Sequence, residues 1–124
     1  MAIKISEAQL QQQGDSFLAL DGWRYIETDP KHLRGLGVSE PGIPDRLYLR
    51  YVEGFPQYRE AQILWIEWKR KGGKAGEKQL DWHARERARG ALVWLADVDF
   101  PASIEGFAKF YAESGLMRKN VRLK

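Results

Sequence analysis

The sequence predicts an α/β fold in which a mixed central sheet of about four strands is flanked by helices. Segments with the two-residue alternation of strands are interleaved with segments of helical spacing, in the order αβββαβα. The strongest strand signal, at residues 61–69, is apolar on both faces, which implies a central strand covered on both sides. A chain of 124 residues has the size of one domain, so we expect a single domain over residues 1–124.

A capping pattern predicts the first helix. Ser6 is followed three residues later by Gln9, which is the spacing of a capping box, and the helix is expected over residues 7–20. Gly14 is a weak point inside it, because glycine is a poor helix former. Residues 23–27 then alternate large apolar with polar side chains, as a half-buried strand does.

The remaining elements follow the same two periodicities. Strands are predicted over residues 45–52, 61–69 and 92–96, and helices over residues 77–89 and 104–114. Residues 28–44 contain many Pro and Gly and are longer than most connections, so they predict a long loop of the kind that tends to be functional. The connection at 53–60 is either a plain hairpin or a surface that contacts a partner.

Composition excludes several classes of protein. There is no cysteine, so neither disulfides nor thiolate metal sites are possible, and two histidines cannot build a structural zinc site. No run of residues is apolar enough for a membrane span, and residues 1–13 are too polar for a signal peptide. We therefore expect a soluble, intracellular protein.

Positive charge is concentrated in two segments. Residues 69–89 hold eight Lys or Arg against three acids, and residues 115–124 form a tail with four basic residues and no acid. A neighbouring polyanion such as nucleic acid would be attracted to these segments through its phosphates. The alternative is that these charges simply keep a helix face and a frayed tail solvated, and charge alone does not decide between the two.

Three charged residues are expected to meet at the ends of two strands. Glu67 and Lys69 lie two apart at the end of the central strand, so their side chains point to the same face. Asp45 opens the preceding strand, and antiparallel pairing would bring it beside Glu67. Two carboxylates and a backbone carbonyl suit Mg²⁺ or Mn²⁺, and a nearby lysine can orient a water molecule. Taken alone, Glu67 and Lys69 are better explained by a structural salt bridge at the end of a strand.

The neighbours of these residues resemble a known family. The segments 42–45 (GIPD) and 65–69 (WIEWK), followed by Gln79 and Trp82, are similar to the VRR-Nuc domain, a branch of the PD-(D/E)xK nuclease superfamily. The resemblance covers most of the chain. It implies a restriction-endonuclease-like core and a magnesium-dependent DNA endonuclease, in which Mn²⁺ can replace Mg²⁺.

The resemblance also assigns roles to individual residues. It implies four metal ligands, namely the carboxylates of Glu7, Asp45 and Glu67 and the backbone carbonyl of Trp68. Lys69 would be the catalytic cation, and Gln79 would touch the scissile phosphate or orient Lys69. A carboxylate at Glu7 also suits the start of a helix, so capping explains that residue as well as metal binding does.

Partners follow from the same resemblance. Family domains that stand alone at this length resemble phage or bacterial homodimers that act on branched DNA such as a four-way junction, which implies a bacterial or phage-infected cytoplasm. Four basic residues next to the strand end are expected to bind DNA: Arg70, Lys71, Lys74 and Lys78. The alternatives are a catalytically silent DNA-binding or assembly module, and a nuclease for linear or flap DNA.

Two further groups have competing interpretations. His83 lies one turn after Gln79 and can approach the site, although a surface or packing role is the simpler explanation. Phe107, Phe110 and Tyr111 recur at helical spacing and predict a core or dimer interface.

Overall fold

The computed structural model describes residues 5–28, 42–55 and 58–118. These residues contain three helices and four strands. The elements are α1 (Glu7–Leu20), β1 (Arg24–Glu27), β2 (Arg46–Phe55), β3 (Tyr58–Glu67), α2 (Glu77–Ala88), β4 (Leu92–Leu95) and α3 (Ile104–Glu113). This order confirms the predicted fold class and the sequence αβββαβα. Most of the predicted loop at 28–44 lies outside the described residues. Within those residues no helix is long and apolar enough to cross a membrane.

The four strands form one mixed sheet in the order β1-β2-β3-β4. The pairs β1–β2 and β2–β3 are antiparallel, whereas β3–β4 is parallel. Arg46 pairs with Ile66, so the start of β2 lies beside the end of β3, as antiparallel pairing predicted. Phe55 pairs with Tyr58, which makes the 53–60 connection a hairpin with a register shift near its tip.

One face of the sheet carries the main core together with α1 and α3. Leu64, Ile66 and Trp68 are fully buried there, and the Trp68 ring meets Phe107 of α3 edge-on at 5.0 Å between centroids. Phe107 and Tyr111 are buried and Phe110 packs against them, so the aromatic row of α3 belongs to the core. Burial of large aromatic rings is the main source of stability on this face.

Gly14 has a packing role that its helix propensity does not reveal. A Cβ atom built on this residue would lie 2.3 Å from the Trp68 ring, far closer than van der Waals contact. The glycine therefore lets the indole approach the backbone of α1. Glycine has a low helix propensity, but at position 14 the core leaves no space for a larger residue.

The opposite face is covered only in part, which corrects the prediction of a strand covered on both sides. Helix α2 packs there, with Trp82 edge-on to Trp65 at 5.0 Å between ring centroids. Ile63, two residues earlier on β3, remains 46% exposed. The strand is central in the sheet, but α2 is short and covers the Trp65–Glu67 end rather than the whole face.

A buried ion pair connects distant parts of the chain. Arg50 of β2 binds Asp21 at 2.9 Å, lies over the Trp23 ring and donates to the Leu116 carbonyl. The predicted basic tail begins in this region. Its first basic residue, Arg118, donates from its backbone amide to Asp21 at 3.4 Å, while residues 119–124 lie outside the described part of the chain.

Candidate active site

The start of β2 and the end of β3 bring Asp45 and Glu67 together. Asp45 immediately precedes Arg46, and Arg46 pairs with Ile66, so the carboxylates of Asp45 and Glu67 face the same end of the sheet. The Asp45 backbone is held by Thr28, whose amide donates to the Asp45 carbonyl at 3.3 Å and whose hydroxyl donates to the Pro44 carbonyl. Strand geometry thus fixes the position of both acids.

Gly42 explains why the segment before Asp45 begins with glycine. Its φ is +85°, in the left-handed region that favours glycine. A Cβ atom here would lie 2.2 Å from the carbonyl oxygen of Lys78, in the first turn of α2. The GIPD segment therefore passes directly against the helix that covers Glu67, and only glycine allows this contact.

The side chain of Glu67 is fully buried, with 0% of its surface exposed. Oε1 accepts a hydrogen bond from Gln79 Nε2 at 3.0 Å, while Oε2 lies 3.8 Å from Lys69 Nζ. Oε2 has no hydrogen-bond partner within the described residues. The pKa of Glu67 is raised to about 8: burial raises it most, the charge of Asp45 and a side-chain contact with Asp45 also raise it, and Lys69 lowers it.

Gln79 contacts Glu67 in the described structure, whereas the resemblance implied a contact with the scissile phosphate or with Lys69. Its side-chain oxygen accepts a hydrogen bond from the Gly76 amide at 2.8 Å, and its nitrogen donates to Glu67. The amide is therefore held at both ends, and it orients Glu67 instead of Lys69. The same contact serves as the cap of α2, which links the start of the helix to the site.

Glu7 and Trp68 lie next to this pair in different ways. Glu7 is in the first turn of α1, and its charge makes a small contribution to the raised pKa of Glu67. The Trp68 ring donates to the Tyr48 hydroxyl at 2.8 Å, and this contact anchors the backbone that follows Glu67. In the described parts of the chain, no group of three or more His, Cys, Asp or Glu has a metal-binding arrangement.

The donor set still fits a hard divalent cation. Mg²⁺ in proteins commonly takes one or two carboxylates and keeps several water molecules, so Asp45 and Glu67 suffice as side-chain ligands. Glu67 Oε2, buried and without a hydrogen bond, is the atom that such an ion would satisfy. A cation would also offset the burial and the Asp45 charge that raise the pKa of Glu67.

The four predicted DNA-binding cations flank the site. Arg70, Lys71 and Lys74 lie in the turn between β3 and α2, and Lys78 is in the first turn of α2; all four are exposed. The turn is ordered by a hydrogen bond from the Gly73 amide to the Arg70 carbonyl at 2.8 Å. The structure thus places solvated positive charge in the turn that follows the strand carrying Glu67.

His83 and Arg87 both pack between α2 and the sheet, and the prediction from the sequence did not place them there. His83 is 1% exposed, which excludes a surface role. Arg87 donates to the Val93 carbonyl at 2.8 and 2.9 Å and binds Asp99 at 2.7 Å, so it ties α2 to β4. Helical spacing from Gln79, at i+4 and i+8, was the signal that both residues face the sheet.

Comparisons with known proteins return no relative. No family model matches the chain, and no curated protein or solved structure matches it either.

Proposed function

We propose that this protein is a magnesium-dependent DNA endonuclease in which Asp45, Glu67 and Lys69 form the active site. The observation that carries the proposal is the Glu67 carboxylate, fully buried, facing Asp45 and with one oxygen lacking a hydrogen bond in the described structure. Burying the Glu67 carboxylate beside a second, partly exposed acid is costly unless a cation binds there. The resemblance to VRR-Nuc domains supports the same function.

A purely structural salt bridge explains the site poorly, because the same chain contains such a bridge for comparison. Arg50 and Asp21 are both buried, lie 2.9 Å apart and share further hydrogen bonds with Tyr111. Glu67 and Lys69 are 3.8 Å apart, and Glu67 has a raised pKa. Arg50 and Asp21 make their hydrogen bonds within the protein. Glu67, in contrast, has one carboxylate oxygen without a hydrogen bond in the described structure, and this oxygen can bind a ligand.

Each side chain has a distinct task in the proposed reaction. Asp45 and Glu67 would hold the cation, and the resemblance alone implies the Trp68 carbonyl and Glu7 as further ligands. Bound Mg²⁺ supplies charge stabilisation to the phosphodiester and lowers the pKa of a bound water molecule. Lys69 orients the attacking water and stabilises the negative charge that develops on the phosphate.

Gln79 has a supporting task that follows from its contacts. By donating to Glu67 Oε1, it leaves Oε2 as the oxygen that can bind the ion. Its other end caps α2 through Gly76, so the orientation of Glu67 depends on the first turn of the helix. Loss of Gln79 is therefore expected to misorient Glu67 without removing a ligand.

The DNA side of the proposal rests on the exposed cations of the β3–α2 turn. Contacts from lysine and arginine to phosphate give affinity that depends strongly on salt and little on sequence. Action on four-way junctions by a homodimer, in a bacterial or phage-infected cytoplasm, is the part of the proposal that the resemblance alone supports. Flap and linear DNA are the alternative substrates.

A cleavage assay tests the proposal. Purified protein is incubated with matched four-way, flap and linear DNA in Mg²⁺, in Mn²⁺ and with chelator. Cleavage is expected with either metal and not with chelator. Asp45→Asn should abolish it, whereas Asp81→Asn, at an exposed position of α2, should not.

The result also separates the enzyme from the silent module. Metal-independent cleavage, or full activity of Asp45→Asn, would contradict the proposal. DNA binding without cleavage of any substrate by the wild type would identify a binding or assembly module instead.

A further inference from the structure

His83 lies beside the proposed site, on the side of β4. It follows Gln79 by one helical turn, so both side chains point from α2 towards the sheet. One turn further, Arg87 binds the carbonyl of Val93 in β4. Glu67 pairs with Leu95 in parallel register, so a side chain between Gln79 and Arg87 lies over the end of β4 next to Glu67.

The imidazole of His83 is buried without any hydrogen bond in the described structure. The residue is 1% exposed, and neither Nδ1 nor Nε2 has a partner there. Buried polar atoms in native proteins almost always meet a protein group or an ordered water molecule. Two such atoms on one ring therefore indicate that something further binds at this position.

The charged groups that act on the ring are those of Arg87, Asp99 and Lys69. Burial lowers the pKa of His83, and Arg87 and Lys69 lower it further while Asp99 opposes them. The ring is therefore neutral at pH 7, with one donor and one acceptor nitrogen. Arg87 and Asp99 bind each other at 2.7 Å, which occupies both groups.

Lys69 is the remaining cation near the ring, and its ammonium has donors to spare. Among the described residues its ion-pair partner is Glu67 Oε2 at 3.8 Å, which is too long for a hydrogen bond. An ammonium group carries three N–H donors. Lys69 lies 3.8 Å from Glu67, and Glu67 is bound by Gln79, one helical turn before His83, so Lys69 and His83 both adjoin this end of the strand.

We propose that His83 is a positioning residue of the active site: one of its ring nitrogens accepts a hydrogen bond from a water molecule, which in turn accepts a hydrogen bond from the Lys69 ammonium. The inference rests on the proposed function, because it concerns the lysine that acts there. The contact holds Lys69 towards β4. Its other N–H donors then face the acids and the phosphate.

Nuclear magnetic resonance of the histidine ring nitrogens tests the contact without any enzymatic readout. The spectrum of metal-free protein at pH 7 is compared with those of Lys69→Met and Lys74→Met, and His32→Gln assigns the two histidines. Lys69→Met should shift the unprotonated nitrogen of His83, and Lys74→Met, at an exposed turn position, should not. An unchanged His83 signal in Lys69→Met overturns the proposal.

Kinetics provide the second measurement. His83→Phe keeps a ring but no acceptor, and it should lower kcat about ten- to a hundredfold with KM and Mg²⁺ affinity near those of the wild type. His83→Gln restores an acceptor and should recover much of the loss. A folded His83→Phe protein with unchanged kcat overturns the proposal.

The two measurements separate this proposal from the proposed function. If His83→Phe does not fold, the resonance comparison still decides the contact. If the wild type cleaves no DNA but Lys69→Met shifts the His83 signal, the proposed function fails and the contact between the two side chains stands.

Discussion

Replacing Glu67 by glutamine is expected to remove most of the pH dependence of stability in the metal-free protein. Glutamine has the same size and can still accept the hydrogen bond from Gln79, but it cannot ionise. Any difference in pH dependence between the two proteins therefore reports the cost of ionising Glu67 inside the fold, not a change in packing.

The size of the effect follows from the shifted pKa. Burial, and then the charge of Asp45, raises the pKa of Glu67 from 4.5 to about 8. Each pKa unit corresponds to about 1.4 kcal/mol, so ionised Glu67 costs the folded state on the order of 5 kcal/mol relative to the unfolded chain. The pKa of Glu67 is higher in the folded protein than in the unfolded chain. The stability of the fold with neutral Glu67 is therefore complete below pH 4.5 and is lost as the pH rises through about 8.

The assay is urea unfolding at pH 5 and pH 9 with chelator present. The wild type should lose several kcal/mol more than Glu67→Gln between these two pH values. Glu113→Gln, at an exposed position of α3, serves as the control and should follow the wild type. Parallel losses in the wild type and in Glu67→Gln would refute the assignment of a raised pKa to this site.

Other predictions concern the metal, the two close-packed glycines and the basic turn. Mg²⁺ affinity, measured by calorimetry, should strengthen as pH rises from 6 towards 8, because the ion displaces the proton of Glu67; an affinity that is constant with pH argues against Glu67 as a ligand. Gly42→Ala should destabilise the fold by more than about 2 kcal/mol in urea unfolding, from left-handed strain and from the clash with α2. Gly14→Ala should lower stability by about 1–3 kcal/mol in the same measurement despite the better helix propensity of alanine, because its Cβ meets Trp68; a more stable variant contradicts the packing. Combined Lys71→Ala and Lys74→Ala should weaken DNA binding and reduce its salt dependence by about two phosphate contacts, whereas an unchanged salt slope places the DNA elsewhere.

The order of elements and the meeting of Asp45 with Glu67 were predictable because they depend on local periodicity and on one pairing rule. Alternation marked β2 and β3, and antiparallel pairing then required the start of one to adjoin the end of the other. The capping box at Ser6 fixed the start of α1 because both of its hydrogen bonds join residues three apart. Information of this kind is contained in short segments.

The depth of burial and the long-range pairs were not predictable from such segments. Whether Glu67 is exposed depends on how α2 packs over β3, and that packing depends on Gly42 lying against the helix. Arg50 and Asp21 are 29 residues apart and carry no local signal of their contact. The sequence favoured a surface or packing role for His83, because no sequence rule shows that both of its ring nitrogens are buried.

Calorimetric titration with Mg²⁺ at pH 8 tests the central claim most directly, since it asks whether the Asp45–Glu67 pair binds a cation at all. The wild type should bind Mg²⁺, Asp45→Asn should lose that binding, and Asp81→Asn should retain it. A folded wild-type protein that takes up no Mg²⁺, or an Asp45→Asn protein that binds it as tightly, would contradict the account.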